Sequence, residues 1–229
     1  MVTRLADDVW WFDYQGVNAY LLRDEESLTL VDTGMPWHAG RLERDIESLV
    51  DGLAAVDRVL VTHFDFDHVG GLNRLADGGL DAPVYIGAGD EPFLAGREKP
   101  TWTNRKGALQ RVTDIARSIP ALPVETVDDG DEIGGFVAYH TPGHTPGHTA
   151  FVHEDLSAAM VGDLVRESDG AFEVPPWFLN YDQEQAEESL RSFVERAPDC
   201  DIVCQGHGTP FTERGAERLA ACAGALAAP

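Results

Sequence analysis

The 229-residue sequence predicts a mixed α/β domain, and three observations carry that expectation. Short β-branched apolar runs recur and end in His, Asp and Gly, as in Val59-Leu60-Val61-Thr62-His63, Met160-Val161-Gly162-Asp163 and Ile202-Val203-Cys204-Gln205-Gly206-His207. Segments with apolar residues at helical spacing lie between and after these runs. A 43% apolar composition supplies the core of a single unit, no long Ser/Gly/Pro linker, repeat or low-complexity run divides it, and α/β chains of about 200–250 residues commonly form one domain. One domain over residues 1–229 is therefore expected, with a helical insertion at about 88–120.

The elements follow in order. Val9 to Phe12, Val17 to Leu22 and Leu28 to Val31 read as strands, with Asp24-Glu25-Glu26 as a polar turn. Pro36 to Val50 reads as a helix with Leu42, Ile46 and Leu49 on one face and Pro36 in its first turn. Val59 to Val61 is a strand, and Val84 to Ile86 another after a short helix. Asp90 to Ile119 reads as helix in two pieces broken at Pro100. Strands recur at Val124 to Val127, Phe136 to His140, Ala150 to His153 and Ala158 to Val161, and helices at Asp182 to Arg196 and Thr212 to Leu226.

Four metal-competent side chains fall within six residues just past the Val59 strand: His63, Asp65, Asp67 and His68. An open α/β sheet places its chemistry at such C-terminal strand ends. Three later strand ends add the histidines of His140-Thr141-Pro142-Gly143-His144-Thr145-Pro146-Gly147-His148, then Asp163 and His207, each beside glycines that permit close backbone approach. Imidazole and carboxylate suit an open, catalytic divalent ion, whereas a closed structural zinc site favours cysteines. Taken alone, a His or Asp at a strand end is a turn or capping residue, and Asp32 before Thr33-Gly34 could be only that.

In order, Asp32 after an early strand, the His63-to-His68 loop, the Pro-Gly-His-Thr turn at His144, the Gly162-Asp163 pair and Gly206-His207-Gly208 resemble the metallo-β-lactamase superfamily, in its glyoxalase-II-like metallo-hydrolase branch. The resemblance implies an αββα sandwich of two mixed β-sheets with helices on the outer faces; periodicity alone gives only mixed α/β. It implies a first metal ion on His63, His144 and Asp65, a second on Asp67, His68 and His207, and Asp163 bridging them. Asp67 and Asp163 would serve activation of the metal-bound water. Asp32 would orient loop ligands without touching metal. His148 also follows Pro-Gly, and His144 is preferred for its distance from the strand. His38 and His153 are expected at the surface.

The chain departs from the family at Asp65, where a second His is usual. Two divalent ions bring four positive charges, and Asp65, Asp67, Asp163 and one hydroxide bring four negative, so the site is expected to be about neutral and a weaker Lewis acid than one with His. Zinc is favoured as the cofactor, with iron or manganese admitted by the harder carboxylate. Bound water would have its pKa lowered from roughly 15.7 towards about 7, which points to hydrolysis of an ester, thioester or lactone. The superfamily's diiron oxygen and nitric-oxide reductases carry Glu at this position, so a reductase fed by an external electron donor is the alternative. A nuclease is disfavoured by charge, and strict glutathione thioesterase activity by the absence of a C-terminal helical domain after Gly208.

Partners follow from charge. At −23, with fifteen arginines and only Lys99 and Lys106 as lysines, the chain resembles proteins of salt-loving microbes. A small-molecule substrate is expected, with neither nucleic acid nor membrane as partner. Charged residues near the start and no eighteen-residue apolar run point to a cytoplasmic protein. Cys200, Cys204 and Cys222 are expected as free, buried thiols. The segments 88–120 and 172–179 should overhang the site, with Trp102, Trp177, Phe178 and Tyr181 as candidate walls and Arg97, Arg105, Lys106 and Arg111 as candidate anion contacts.

Overall fold

Alternation along the strands sorts the apolar side chains into three layers, and those layers define the architecture. The computed structural model describes residues 1–25, 27–114 and 121–226. A seven-stranded sheet runs in sequence order: β1 Val2–Ala6, β2 Val9–Asp13, β3 Asn18–Asp24, β4 Ser27–Val31, β5 Arg58–Val61, β6 Val84–Gly87 and β7 Val124–Val127. Its first four strands are antiparallel, and β4 to β7 are parallel. A second sheet contains β8 Glu132–Ile133, β9 Phe136–His140, β10 Thr149–His153, β11 Ala158–Gly162 and β14 Ile202–Gln205, in the order β14-β11-β10-β9-β8. Only the β11–β14 pair in it is parallel. A separate hairpin, β12 Arg166–Ser168 with β13 Ala171–Glu173, lies between β11 and β14 in sequence.

Along β5, Val59 and Val61 face one way and Leu60 the other. Val59 and Val61 join Leu42 and Ile46 of α1 (Ala39–Glu47) and Leu72 and Leu75 of α3 (Leu72–Asp77) in an outer layer. Leu60 joins Leu22, Val31, Phe136, Phe151 and Met160 between the sheets. Ala159 and Val161 of β11 face away from that middle layer and pack with Leu190 and Phe193 of α6 (Gln183–Arg196) and Leu219 of α7 (Gly215–Ala225). The arrangement is an αββα sandwich of two mixed sheets.

Several elements differ from expectation. The first helix begins at Ala39 and not at Pro36, with His38 at its N-cap. The region from Asp90 holds two short helices, α4 Glu91–Leu94 and α5 Arg105–Asp114, separated by an irregular stretch through Pro100; the rest of the expected helix, 115–119, and Glu26 of the expected turn lie outside the described residues. His153, expected at the surface, is buried because β10 is covered on both faces; its Nε2 lies 3.2 Å from Asp24 Oδ2 and its ring meets Phe136 edge-on. All three cysteines are buried and free. Among the described residues no helix is long and apolar enough to cross a membrane.

Candidate metal centre

The parallel strands β4 and β5 end side by side, and the backbone there turns sharply. Asp32, immediately after β4, takes a left-handed φ of 57°, a conformation Asp tolerates through local hydrogen bonding. Its Oδ1 accepts from Thr62 N at 2.9 Å, and its Oδ2 accepts from Thr62 Oγ1 at 2.8 Å and lies 2.7 Å from His68 Nδ1. The chain past β5 carries His63, then Asp65 at the N-cap of the one-turn helix α2 (Phe66–Val69), which projects Asp67 and His68. The second sheet supplies His144 from the β9–β10 turn, Asp163 just past β11 and His207 just past β14.

These side chains meet. His63, Asp65, His144 and Asp163 form one group, and Asp67, His68 and His207 a second. Asp163 lies between them: its Oδ2 is 3.3 Å from His144 Nε2 and 3.3 Å from His207 Nε2, and its Oδ1 is 3.6 Å from His68 Nε2. Asp67 Oδ2 is 3.4 Å from His207 Nε2, and Asp65 Oδ2 is 3.2 Å from the Nε2 atoms of both His63 and His144. Gly206 makes the approach possible, because a Cβ there would stand 2.2 Å from Asp163 Oδ1 and 2.7 Å from His68 Cε1.

Each imidazole is oriented by a partner on its Nδ1. His68 has Asp32, His144 has Asn180 Oδ1 at 2.9 Å, His207 has the Gly16 carbonyl at 2.7 Å and His63 has Thr62 Oγ1 at 3.0 Å. With Nδ1–H donating, all four Nε2 lone pairs face the centre, the tautomer a metal requires. His68 Nε2 and Asp163 Oδ1 are buried with no hydrogen-bond partner, and buried polar atoms are seldom left so. The donor set therefore fits divalent metal.

The centre's own charges are strongly coupled. Burial opposes ionisation of Asp163, but His207, His68 and His144 overrule it and hold the carboxyl well below its usual range. Asp163 in turn raises His207 to about 9 against burial, and Asp32 and Asp163 raise His68 to about 10 although burial works the other way. Burial dominates at His63, which is pushed well below 6.5.

Asp90, which carried no signal beforehand, and His148 support the centre from behind. Buried Asp90 accepts from Phe64 N at 2.8 Å, Thr145 Oγ1 at 2.5 Å and Gly147 N at 2.8 Å, so one carboxyl spans the His63 loop and the His144 turn. His148 is turned away from the centre. Its Nδ1 meets Thr141 Oγ1 at 2.8 Å, and its Nε2 accepts from Asp163 N at 3.1 Å, which places the carboxylate through its backbone.

A cleft of about 290 Å³ opens above Asp65, Asp67, His144, Asp163 and His207, with Met35, Phe66, Leu109 and Leu179 as its apolar wall. Expected wall residues lie elsewhere: Trp102, Trp177 and Phe178 are 61%, 59% and 47% exposed. Arg111 covers the Trp102 ring and Arg105 the Trp177 ring, so these aromatics pack with α5's own cations. Tyr181 donates to Gln110 Oε1 beside the cleft. Of the four basic residues expected to cluster here, Arg97 is paired with Glu91, and only Lys106 reaches the centre, where its Nζ meets Asp65 Oδ2 and lies 3.0 Å from His144 Nε2.

A family model for the metallo-β-lactamase superfamily matches residues 13–207. The chain belongs to that superfamily. As a metallo-β-lactamase superfamily protein it is 31% identical over 216 residues to the uncharacterized protein YobT of Bacillus subtilis, covering 89% of this chain and 87% of that one. It is 28% identical over 234 residues to the probable metallo-hydrolase YflN of the same organism, covering 90% and 86%. Among solved structures, TTHA1623 in a di-iron-bound form is similar with 27% identity and a TM-score of 0.66, covering 91% of this chain and 96% of that one.

Proposed function

We propose that the protein is a metal-dependent hydrolase of a small ester, thioester or lactone. The observation that carries this reading is the ring of inward Nε2 atoms and carboxylates, buried except at Asp67 and His207, closed by Asp163 at the floor of a partly apolar cleft. His63, Asp65 and His144 would hold one ion, Asp67, His68 and His207 the other, and Asp163 both. Such ions supply a hydroxide near neutral pH and polarise a carbonyl.

The chain's own residues do the rest. Met35, Phe66, Leu109 and Leu179 exclude water from one side of the cleft and suit an apolar acyl or lactone chain. The Asp67 side chain is 23% exposed against 8% for Asp163, so it is the carboxylate best placed to take a proton from the attacking water and return it to the leaving oxygen or sulfur. Asn180 and the Gly16 carbonyl hold His144 and His207 in position through their Nδ1 atoms, beside Asp163. Asp65 lowers the positive charge of the centre, which favours an uncharged substrate over an anion.

Zinc is the expected metal, and the similarity to a di-iron-bound protein keeps iron in the test. The −23 charge and scarcity of lysine support a small-molecule substrate without nucleic acid or membrane partners, in the cytoplasm of a halophile. The experiment is elemental analysis of protein purified in high salt, followed by ester, thioester, lactone and β-lactam substrates. Turnover with a redox-inactive metal supports the hydrolase. Iron that changes oxidation state during turnover, with no hydrolysis, replaces it with the oxygen or nitric-oxide reductase reading.

A further inference from the structure

The two halves of the centre are unequally satisfied. On the Asp67–His68–His207 side, His68 Nε2 and the neighbouring Asp163 Oδ1 are buried without a partner. On the other side a cation already stands between two of the proposed ligands: Lys106 is 4% exposed, with its Nζ on Asp65 Oδ2 and 3.0 Å from His144 Nε2. We propose that the Lys106 ammonium is an internal cation that competes for the first metal position, so that the protein binds one ion firmly, on the Asp67–His68–His207 side, and a second only when Lys106 withdraws. This rests on the metal-centre reading above.

The chemistry fits the position. An ammonium is a compact point charge with three donors, able to meet a carboxylate and an imidazole lone pair together, whereas a guanidinium is a broad plane. The chain otherwise uses arginine: of its two lysines, this one is placed where a divalent ion would stand. Asp65 completes the device, since a carboxylate pairs with the ammonium and a His would repel or ignore it. Lys106 is held there from its own helix, because Gln110, one turn on, donates to Asp65 Oδ1 at 2.7 Å, and Tyr181 donates to Gln110. An ion beside Asp65 competes with the ammonium for Oδ2, because the two cations repel each other there.

Equilibrium dialysis against buffered free zinc, with metal and protein counted in the same sample, tests this. The unmutated protein should take up one ion per chain. Lys106→Met, which keeps length and loses charge, should take up two, with affinity for the second raised roughly tenfold or more, the scale on which changing a partner of a metal ligand alters binding. A pair of variants that leaves Lys106 untouched gives an independent readout: Asp67→Ala should lose the ion, and His144→Ala should keep it. Two ions of similar affinity in the unmutated protein, with Lys106→Met altering neither, overturn the proposal; so does loss of the firmly held ion in His144→Ala. A chain that takes up no ion at all overturns the metal-centre reading itself, a different result.

Discussion

Asp32→Asn removes one charge from the centre without touching a proposed ligand atom, and its effect follows from three hydrogen bonds. Asn tolerates the left-handed backbone at this position, where φ is 57°, better than most residues, so the substitution adds little strain. Its carbonyl oxygen can still accept from Thr62 N, now 2.9 Å from Oδ1. Its amide then faces Thr62 Oγ1 and His68 Nδ1, at the 2.8 and 2.7 Å positions of the carboxylate oxygen. An amide N–H cannot accept from Nδ1–H, so His68 must move its proton to Nε2, the atom aimed at the centre. Such a change beside a ligand typically costs about 10–100-fold in metal affinity, or ~1.4–2.8 kcal/mol. Competition with a chromophoric chelator measures the affinity, and thermal melts in excess chelator report the fold separately. Affinity within roughly threefold of the unmutated protein would refute the assignment of Asp32 as the orienting group of His68.

Further expectations concern pH, salt and thiols. His207 at about 9 and His68 at about 10 lie above the ordinary 6.5, so the fold stripped of metal binds extra protons. Their stabilisation is complete below about pH 6.5 and lost as pH rises through 9 to 10, so melts in chelator should fall across that window. The same protons must leave on metal uptake, which should therefore tighten with pH; a flat melting temperature and pH-independent uptake would contradict both. Self-repulsion at −23 should make the melting temperature climb with KCl into the molar range, and an unchanged value would remove the case for a halophile. Burial raises Cys200 and Cys222 to about 11 and Cys204 well above 9.0, so iodoacetamide should leave the native protein unlabelled near neutral pH and modify all three after denaturation.

The layered core was legible because alternation is a property of neighbouring residues: Val59, Leu60 and Val61 announce two buried faces by themselves. Edge strand β1 was not, since Val-Thr-Arg-Leu-Ala is half exposed and offers no apolar run. The hairpin strand β12, Arg-Glu-Ser, reads as loop on any propensity scale, and β8 is only two residues long. At the centre, the seven side chains named from their motifs converge and Asp32 meets His68 as expected, while the other partners were invisible. Asn180 and Asp90 lie 36 residues from His144 and 26 from Phe64, and the Gly16 carbonyl that holds His207 has no side-chain identity at all. Lys106 was visible only as one of four basic residues; which of the three on α5 points inward is set by the rotation of that helix.

Asp90 has a consequence for how the molecule tolerates change. Its carboxyl is a rivet through both halves of the sandwich, fastened to Phe64 on the chain leaving the first sheet and to Thr145 and Gly147 on the turn of the second. Any repacking in the middle layer that lets one sheet slide over the other must shear that rivet before the imidazoles drift apart. Substitutions in the outer layers and the cleft wall can therefore leave the spacing between His63 and His144 unchanged, because Asp90 gauges it from both sides.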